Sequence, residues 1–375
     1  MSEAPPPATS ASSGTLPAVP PAGGLQRSLG LFGATLVGVA AIMGAGVFVL
    51  SGVAFRVAGP SAILAFALNG LLALVTAFSF AELAAAFPES GGSYVFARKV
   101  FPISGAFATG WVLWFAYVVA GVLYALGFAS FLAFVIEQIA GQLGQALSIG
   151  SGLRVAGALI TCAAAVGLLL RGGAGAGGAV TVAKVVAFLL LVIPGLFLFA
   201  GSPPGTLHAS LVPAFPFGVG GTLVAMGFTF IALEGFEVIA AVGEEVRDPG
   251  VTIPRAMFLS IGITLVIYLG LLFVLLTLGG PGGGEPAWRD LGTRGEQAVA
   301  VAAQRYLGKF GAVVVIVAGL LATFSALVSA LLAASRVSYS MARDRALPRW
   351  LGGLGGRDGA PRAARSCAAP PWRGR

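Results

Sequence analysis

Between Leu31 and Met341 the chain returns eight times to an apolar stretch near or above the ~20 residues a helix needs to cross a bilayer. The stretches run at about 31–55, 61–87, 103–136, 153–170, 179–201, 218–243, 255–279 and 310–341. In hydrocarbon a backbone can satisfy itself only as a helix or a closed barrel, and runs of this length suit helices. The chain is therefore expected to be an all-α integral membrane protein. Composition agrees: 57% of residues are apolar and 10% charged, where soluble domains carry about 25% charged residues.

That frame excludes several classes of function. His208 is the only histidine, and the two cysteines, Cys162 and Cys367, form no framework or ligand cluster. No metal or cofactor is expected. With no intramembrane Ser/His constellation, neither is enzymatic activity. The net charge of +8 does not point to nucleic acid, because it sorts by loop. Before the final tail, the side of the N-terminus holds Arg27, Arg98, Lys99, Arg171, Arg247, Arg255, Arg336, Arg343, Arg345 and Arg349. The other side holds Arg56, Arg154, Arg289, Arg294, Arg305 and Lys309. The bias predicts a multi-pass protein of the cytoplasmic membrane with its N-terminus in the cytosol. Residues 1–30, rich in Pro, Ala and Ser without an apolar signal region, read as a disordered cytosolic tail.

Two connections carry weaker signals. The Gly172–Gly178 run lacks the Gly-Lys-Ser/Thr ending of a phosphate loop and reads as a connector. The loop at about 280–308 is expected to contain a short surface helix over Glu296–Tyr306.

Two of the apolar spans are interrupted. The first contains Ile42-Met43-Gly44-Ala45-Gly46-Val47-Phe48, and glycine in a helix interior costs on the order of 1 kcal/mol against alanine. The sixth contains Phe230-Ile231-Ala232-Leu233-Glu234-Gly235-Phe236-Glu237, with two carboxylates around a glycine. Backbone that leaves the helix inside a membrane must find partners in the protein or line a wet cavity. The bland reading of Gly44 and Gly46 is close helix packing, and that of the glutamates is contact with water near the cytosolic end. Five spans separate one break from the next, so the second unit enters the membrane from the opposite face. Gly-interrupted spans at corresponding positions of inverted halves mark the midplane binding site of a transporter.

At this point the residues resemble a known family, the amino acid–polyamine–organocation permeases. Gly44-Ala45-Gly46-Val47-Phe48 is similar to its Gly-(Ser/Ala)-Gly-(Ile/Val)-Phe motif, and Phe230 to Glu237 to its sixth-span motif ending Gly-Phe-Glu. Glu244-Glu245-Val246-Arg247-Asp248-Pro249 with Ile253-Pro254-Arg255-Ala256 resembles its cytosolic signature. Glu82-Leu83 and Pro88-Glu89-Ser90-Gly91-Gly92-Ser93-Tyr94 resemble its second-to-third-span loop, and Met341-Ala342-Arg343-Asp344 the end of its eighth span. The match covers about residues 28–363.

The resemblance implies a LeuT-like fold of two inverted five-span repeats, with 31–201 as the first repeat and 218–341 as three spans of the second. It implies a secondary amino acid transporter working by alternating access. Substrate carboxylate would meet N–H groups at Gly44, Ala45 and Gly46, at the positive end of a half-helix. Substrate ammonium would meet carbonyls at Ile42, Phe230 and Leu233, with Gly235 permitting the second break. In sodium-independent members a fifth-span lysine stands where relatives hold a cation. Lys184 matches that position and is the candidate for proton coupling, with snorkelling to the inner surface as the alternative. Glu237 is the candidate for linking the sixth-span break to occupancy, with Glu234 less certain. Tyr117 and Tyr124 could line the cavity or simply pack. The expected partners are an amino acid, a proton and the lipid bilayer.

The sequence departs from the family after Ala363. Residues 342–375 read as a cytosolic tail whose basic, Pro-containing end, from Arg365, is too short to span. A shifted frame or early stop is one expectation there, and a basic tail on anionic lipid another. The competing functional reading is a shortened membrane protein that binds amino acids without moving them.

Overall fold

The computed structural model describes residues 27–44, 46–142, 149–172, 177–282, 284–348, 351, 354–355 and 360–361. The expectations for the tail at 1–26, the centre of the glycine connector at 173–176, Ala45 and the end at 362–375 lie outside the described residues.

Seven stretches among the described residues are long and apolar enough to cross a membrane. One of them, Gly46–Ala86, is bent by a 3-10 turn at Gly59–Ser61 into α2 (Gly46–Ala58) and α3 (Ala62–Ala86). Helix α1 (Leu31–Ile42) has 12 residues and α2 has 13, so neither crosses alone. End to end across the break at Met43–Gly44 they make one span, and the eight expected crossings are accounted for. The remaining helices are α4 (Ser93–Val100), α5 (Ile103–Gln142), α6 (Ser151–Gly172), α7 (Gly178–Ala200), α8 (Thr206–Leu211), α9 (Gly218–Thr229), α10 (Val238–Ala241), α11 (Pro249–Leu278), α12 (Ala287–Arg294) and α13 (Ala298–Arg343). Two two-residue strands, Leu354–Gly355 and Ala360–Pro361, pair antiparallel beyond the last helix.

Helix α5, at 40 residues, is about 60 Å long. It exceeds a ~30 Å hydrocarbon core and must tilt or project. Helix α13 is two helices joined at Gly308, where φ is +63°. The stretch expected as a surface helix, Glu296–Tyr306, falls mostly in the first of these, and Ala298, Val299, Ala302 and Ala303 bury it against the bundle. The separate helix of that loop is α12, which starts nine residues earlier than the expected one. Its Asp290 holds Arg294 at 3.0 Å and Arg305 at 2.6 Å, and Arg305 also donates to the Gly279 carbonyl at 2.6 Å. Helices α4 and α8 were not foreseen.

Contacts between spans show how the chain is folded on itself. Helix α3 packs along α11, α5 along α13, and α2 and α1 against α9 and α10. Each of the first three spans thus lies against the span five later. Small residues allow the approach: a Cβ at Gly70 would sit 2.5 Å from Leu265, and one at Gly319 2.8 Å from the Phe131 ring.

Two sets of end contacts give the directions. At one face, called here the first, Leu29 N–H donates to the Glu245 carbonyl at 2.9 Å and Arg247 N–H to that of Leu29 at 2.8 Å. At the other, Ser61 and Thr222 hydroxyls are 2.7 Å apart, and Phe217 packs edge-on against Trp288. The first span therefore leaves the first face and the sixth returns to it. The same holds for α3 against α11, and for α5 against α13. This is an inverted-repeat, LeuT-like transporter fold.

Candidate functional site

The two breaks face each other. Helix α1 ends in an inverse γ-turn: Met43 has φ −78° and ψ 64°, and Gly44 N–H donates to the Ile42 carbonyl at 2.8 Å. Helix α2 then opens at Gly46, so the N–H groups of its first turn lack helical partners and point back into the break. Across from it, α9 tightens into a 3-10 turn at Phe230–Leu233, and Glu234 is extended (φ −76°, ψ 156°) before α10 resumes.

Glycine at 235 is required by this arrangement. Its φ is +121°, a region L side chains rarely adopt, and a Cβ there would lie 2.8 Å from the Ala41 carbonyl carbon and 3.0 Å from the Ile42 nitrogen. A Cβ at Gly46 would be 3.3 Å from the Ala232 Cα, and one at Gly44 3.1 Å from the Tyr124 ring. The glycines of the first break are thus packed against the sixth and third spans, and the packing reading is part of the same geometry as the broken backbone.

Lys184 fastens the end of α1. Its Nζ donates to the Met43 carbonyl at 2.8 Å, the Ala40 carbonyl at 3.1 Å and Ser325 Oγ of α13 at 2.6 Å. Its side chain is fully buried, and the snorkelling alternative is overturned. A cavity of about 70 Å³ reaches these groups from the start of α7, lined by Gly177, Thr181, Ala40 and Ser325 among others.

The Ile42 carbonyl accepts from Gly44 N–H and from the Tyr268 hydroxyl at 3.3 Å, so in this conformation it is already engaged. Leu233 is buried, whereas the Phe230 side chain is 46% exposed, which leaves only its backbone to face the break. Glu237 Oε2 accepts the Gly235 N–H at 2.8 Å, and Oε1 lies 3.5 Å from the Tyr117 hydroxyl. Glu237 is half-buried and occupied with holding its own loop rather than open to bulk water. Glu234 is half-buried beside it.

Three contact residues were not anticipated. Ser325 completes the shell of Lys184. Tyr268, fully buried, reaches the end of α1 from α11 and packs edge-on against Phe66. Asn69 of α3 donates to the Met226 carbonyl and to Thr229 Oγ1, both at 2.9 Å, tying down the end of α9 where it breaks. A lone amide in an apolar span was the available signal for Asn69. No group of three or more His, Cys, Asp or Glu capable of holding a metal occurs among the described residues.

Comparison with known proteins bears on the same residues. A family model described as amino acid permease matches residues 29–367. An uncharacterized transporter of Mycobacterium tuberculosis is 32% identical over 329 residues, 87% of this chain and 68% of that protein. The inner membrane transport protein YbaT of Escherichia coli is 30% identical over 330 residues, 86% of this chain and 71% of that protein. Among solved structures, Mhp1, a nucleobase-cation-symport-1 family transporter in a closed conformation with bromovinylhydantoin bound, is similar with a TM-score of 0.58. The likeness covers 88% of this chain and 71% of that one at 16% identity, so it is one of fold.

Proposed function

The chain belongs to the amino acid permease family, and from that premise we propose that it carries amino acids across the cytoplasmic membrane by alternating access, coupled to protons. The observation that carries this reading is the contact between the breaks, with Gly235 against Ala41 and Ile42, and Gly46 against Ala232.

A free amino acid presents a carboxylate and an ammonium on one carbon. The first turn of α2, with Gly44, Ala45 and Gly46 before and at its start, offers N–H groups and the positive end of a half-helix to the carboxylate. Carbonyls of the 3-10 turn between Phe230 and Leu233 suit the ammonium. The Gly44 N–H and the Ile42 carbonyl join these two sets once the bond between them, and the one from Tyr268, are released. Both partners are backbone, so the side chain of the substrate is read elsewhere, and Tyr124 over Gly44 limits its size.

Lys184 is the coupling residue in this account. Protonated, it donates three hydrogen bonds and pins the end of α1 to α13. Deprotonated, it has fewer donors than acceptors around it, and the α1 end is freed to swing. Glu237 reports the state of the sixth-span break through Gly235. The first face is cytosolic in this reading, since Arg98, Lys99, Arg247, Arg255 and Arg343 gather there.

The test is a thermal-shift screen of the purified chain against the common amino acids, followed by uptake of the hits into proteoliposomes with and without an inward proton gradient. A ligand that binds the folded state raises its apparent stability. Uptake that rises with the gradient is expected. Binding without any uptake would contradict the transport reading.

A further inference from the structure

A second cavity lies outside the break region, on the flank of the bundle. It has a volume of about 410 Å³, within the range of ligand sites. It sits between α1, α7 and α11 and is lined by apolar side chains, Val39, Val186, Leu259 and Ile263 among them, with Thr35 as the one polar residue in the wall. Thr35 is 7% exposed, and its hydroxyl has no hydrogen-bond partner among the described residues. Val186, Leu259 and Ile263 are each more than a third exposed, so the groove opens sideways onto the bilayer.

The groove has a charged rim. On α11, Arg255, Leu259 and Ile263 are spaced four apart and so lie on one helix face. Arg255 is exposed one turn nearer the first face than Leu259 and two turns nearer than Ile263. Arg27, just before α1, and Arg247, just before α11, are also exposed there, and Arg247 Nε donates to the Arg27 carbonyl at 3.3 Å. Among the described residues no carboxylate is ion-paired with any of the three, although Asp248 is their neighbour in sequence. From Arg255 to Ile263 the axial distance is about 12 Å, well inside one leaflet of a ~30 Å core.

We propose that this groove is a binding site for one anionic phospholipid of the first-face leaflet. Its phosphate meets Arg255 and the neighbouring arginines, an ester carbonyl accepts from the Thr35 hydroxyl, and one acyl chain fills the groove. Charge complementarity at the rim selects this occupant over a neutral lipid or a free apolar molecule. The wall is shared by α1, which ends in the break, and by α7 on either side of Lys184, so the lipid braces the helix pair that Lys184 joins.

The experiment uses the full chain reconstituted in equal parts phosphatidylglycerol and phosphatidylcholine, extracted in mild detergent and weighed by native mass spectrometry. The wild type is expected to retain one lipid per chain, with phosphatidylglycerol favoured about fivefold, as one arginine at a membrane surface gives. Arg255→Glu should bring the ratio to about one while the melting temperature holds. Ile263→Trp, which fills the groove, should strip both lipids, and Val186→Phe fills it from α7 if that variant fails to fold. A wild type that retains no lipid or shows no preference between the two would overturn the proposal. Retention unchanged by both Arg255→Glu and a filled groove would also overturn it.

Discussion

Lys184 Nζ sits 2.8 Å from the Met43 carbonyl oxygen, so the fifth span grips the first at the residue where its helix ends. The same nitrogen reaches Ser325 on the eighth span, so three spans meet at one buried amine. Protonating that amine among only neutral acceptors is costly. That cost supports the proposed role of Lys184 in coupling rather than in stability.

Gly235→Ala should be the most damaging small change at the paired breaks. It places a side chain at φ +121° and drives a Cβ into the α1 backbone at Ala41 and Ile42. Backbone strain of this kind costs about 1–3 kcal/mol, and the displaced α1 would also disturb the N–H groups proposed to hold substrate. A lowered melting temperature together with lost uptake is expected. Uptake at the wild-type level would mean that the two breaks need not touch.

Asn69→Leu tests the tie between α3 and the end of α9. Its amide holds the Met226 carbonyl and Thr229 Oγ1, and interhelical hydrogen bonds in membranes are worth about 0.6 kcal/mol, at most ~1.7. The fold should therefore survive with a small drop in melting temperature. The substrate KM should rise more than that stability loss explains, because the 3-10 turn at Phe230–Leu233 loses its anchor.

Arg336 and Glu245 form an ion pair at 2.5 Å, and both residues are more than nine-tenths buried. Arg336→Met alone strands a buried carboxylate and should cost roughly 3–5 kcal/mol, whereas pairing it with Glu245→Gln should recover much of the loss. Thermal unfolding of the two variants and the wild type provides the comparison.

The first face carries a pH-dependent clasp. Glu89 pairs with Arg98 and with Lys99 at 3.1 Å, and Arg98 also pairs with Asp344, which accepts from the Tyr94 hydroxyl at 3.0 Å. Partial burial works against the Glu89 carboxylate, but Lys99 and Arg98 outweigh it and hold Glu89 below the ordinary value of 4.5. A lowered carboxylate stabilises the folded arrangement above 4.5 and loses that contribution as pH falls through its folded value. The amide protection factors over residues 88–98, which correct for the intrinsic pH dependence of exchange, should therefore hold from pH 7 down to 4.5 and fall only below it. Protection that already changes between pH 6 and 7 would count against the clasp.

The sequence exposed the breaks and the lysine because each violates a simple rule: two glycines in an apolar span, a carboxylate pair around a third, one cation in an uncharged helix. It did not expose Ser325 or Tyr268. A serine in a helix of small residues and a tyrosine among leucines look like ordinary packing until the topology carries them to the end of α1. Arg336 was counted as a loop charge, since nothing local reveals that Glu245, ninety-one positions earlier, will meet it inside the protein. The helix expected over Glu296–Tyr306 is present, running from Ala298 to the turn at Gly308, but Ala298, Val299, Ala302 and Ala303 bury it against the bundle instead of leaving it on the surface. Span existence is a local property, and contact partners are not.

The most direct measurement is proton-gradient-driven amino acid uptake in proteoliposomes by wild type and Lys184→Ala side by side, with substrate binding measured on both. The account predicts that Lys184→Ala still binds substrate, because the backbone groups at Gly44 and Gly46 remain, but no longer responds to the gradient. Gradient-driven uptake that persists in Lys184→Ala would contradict it.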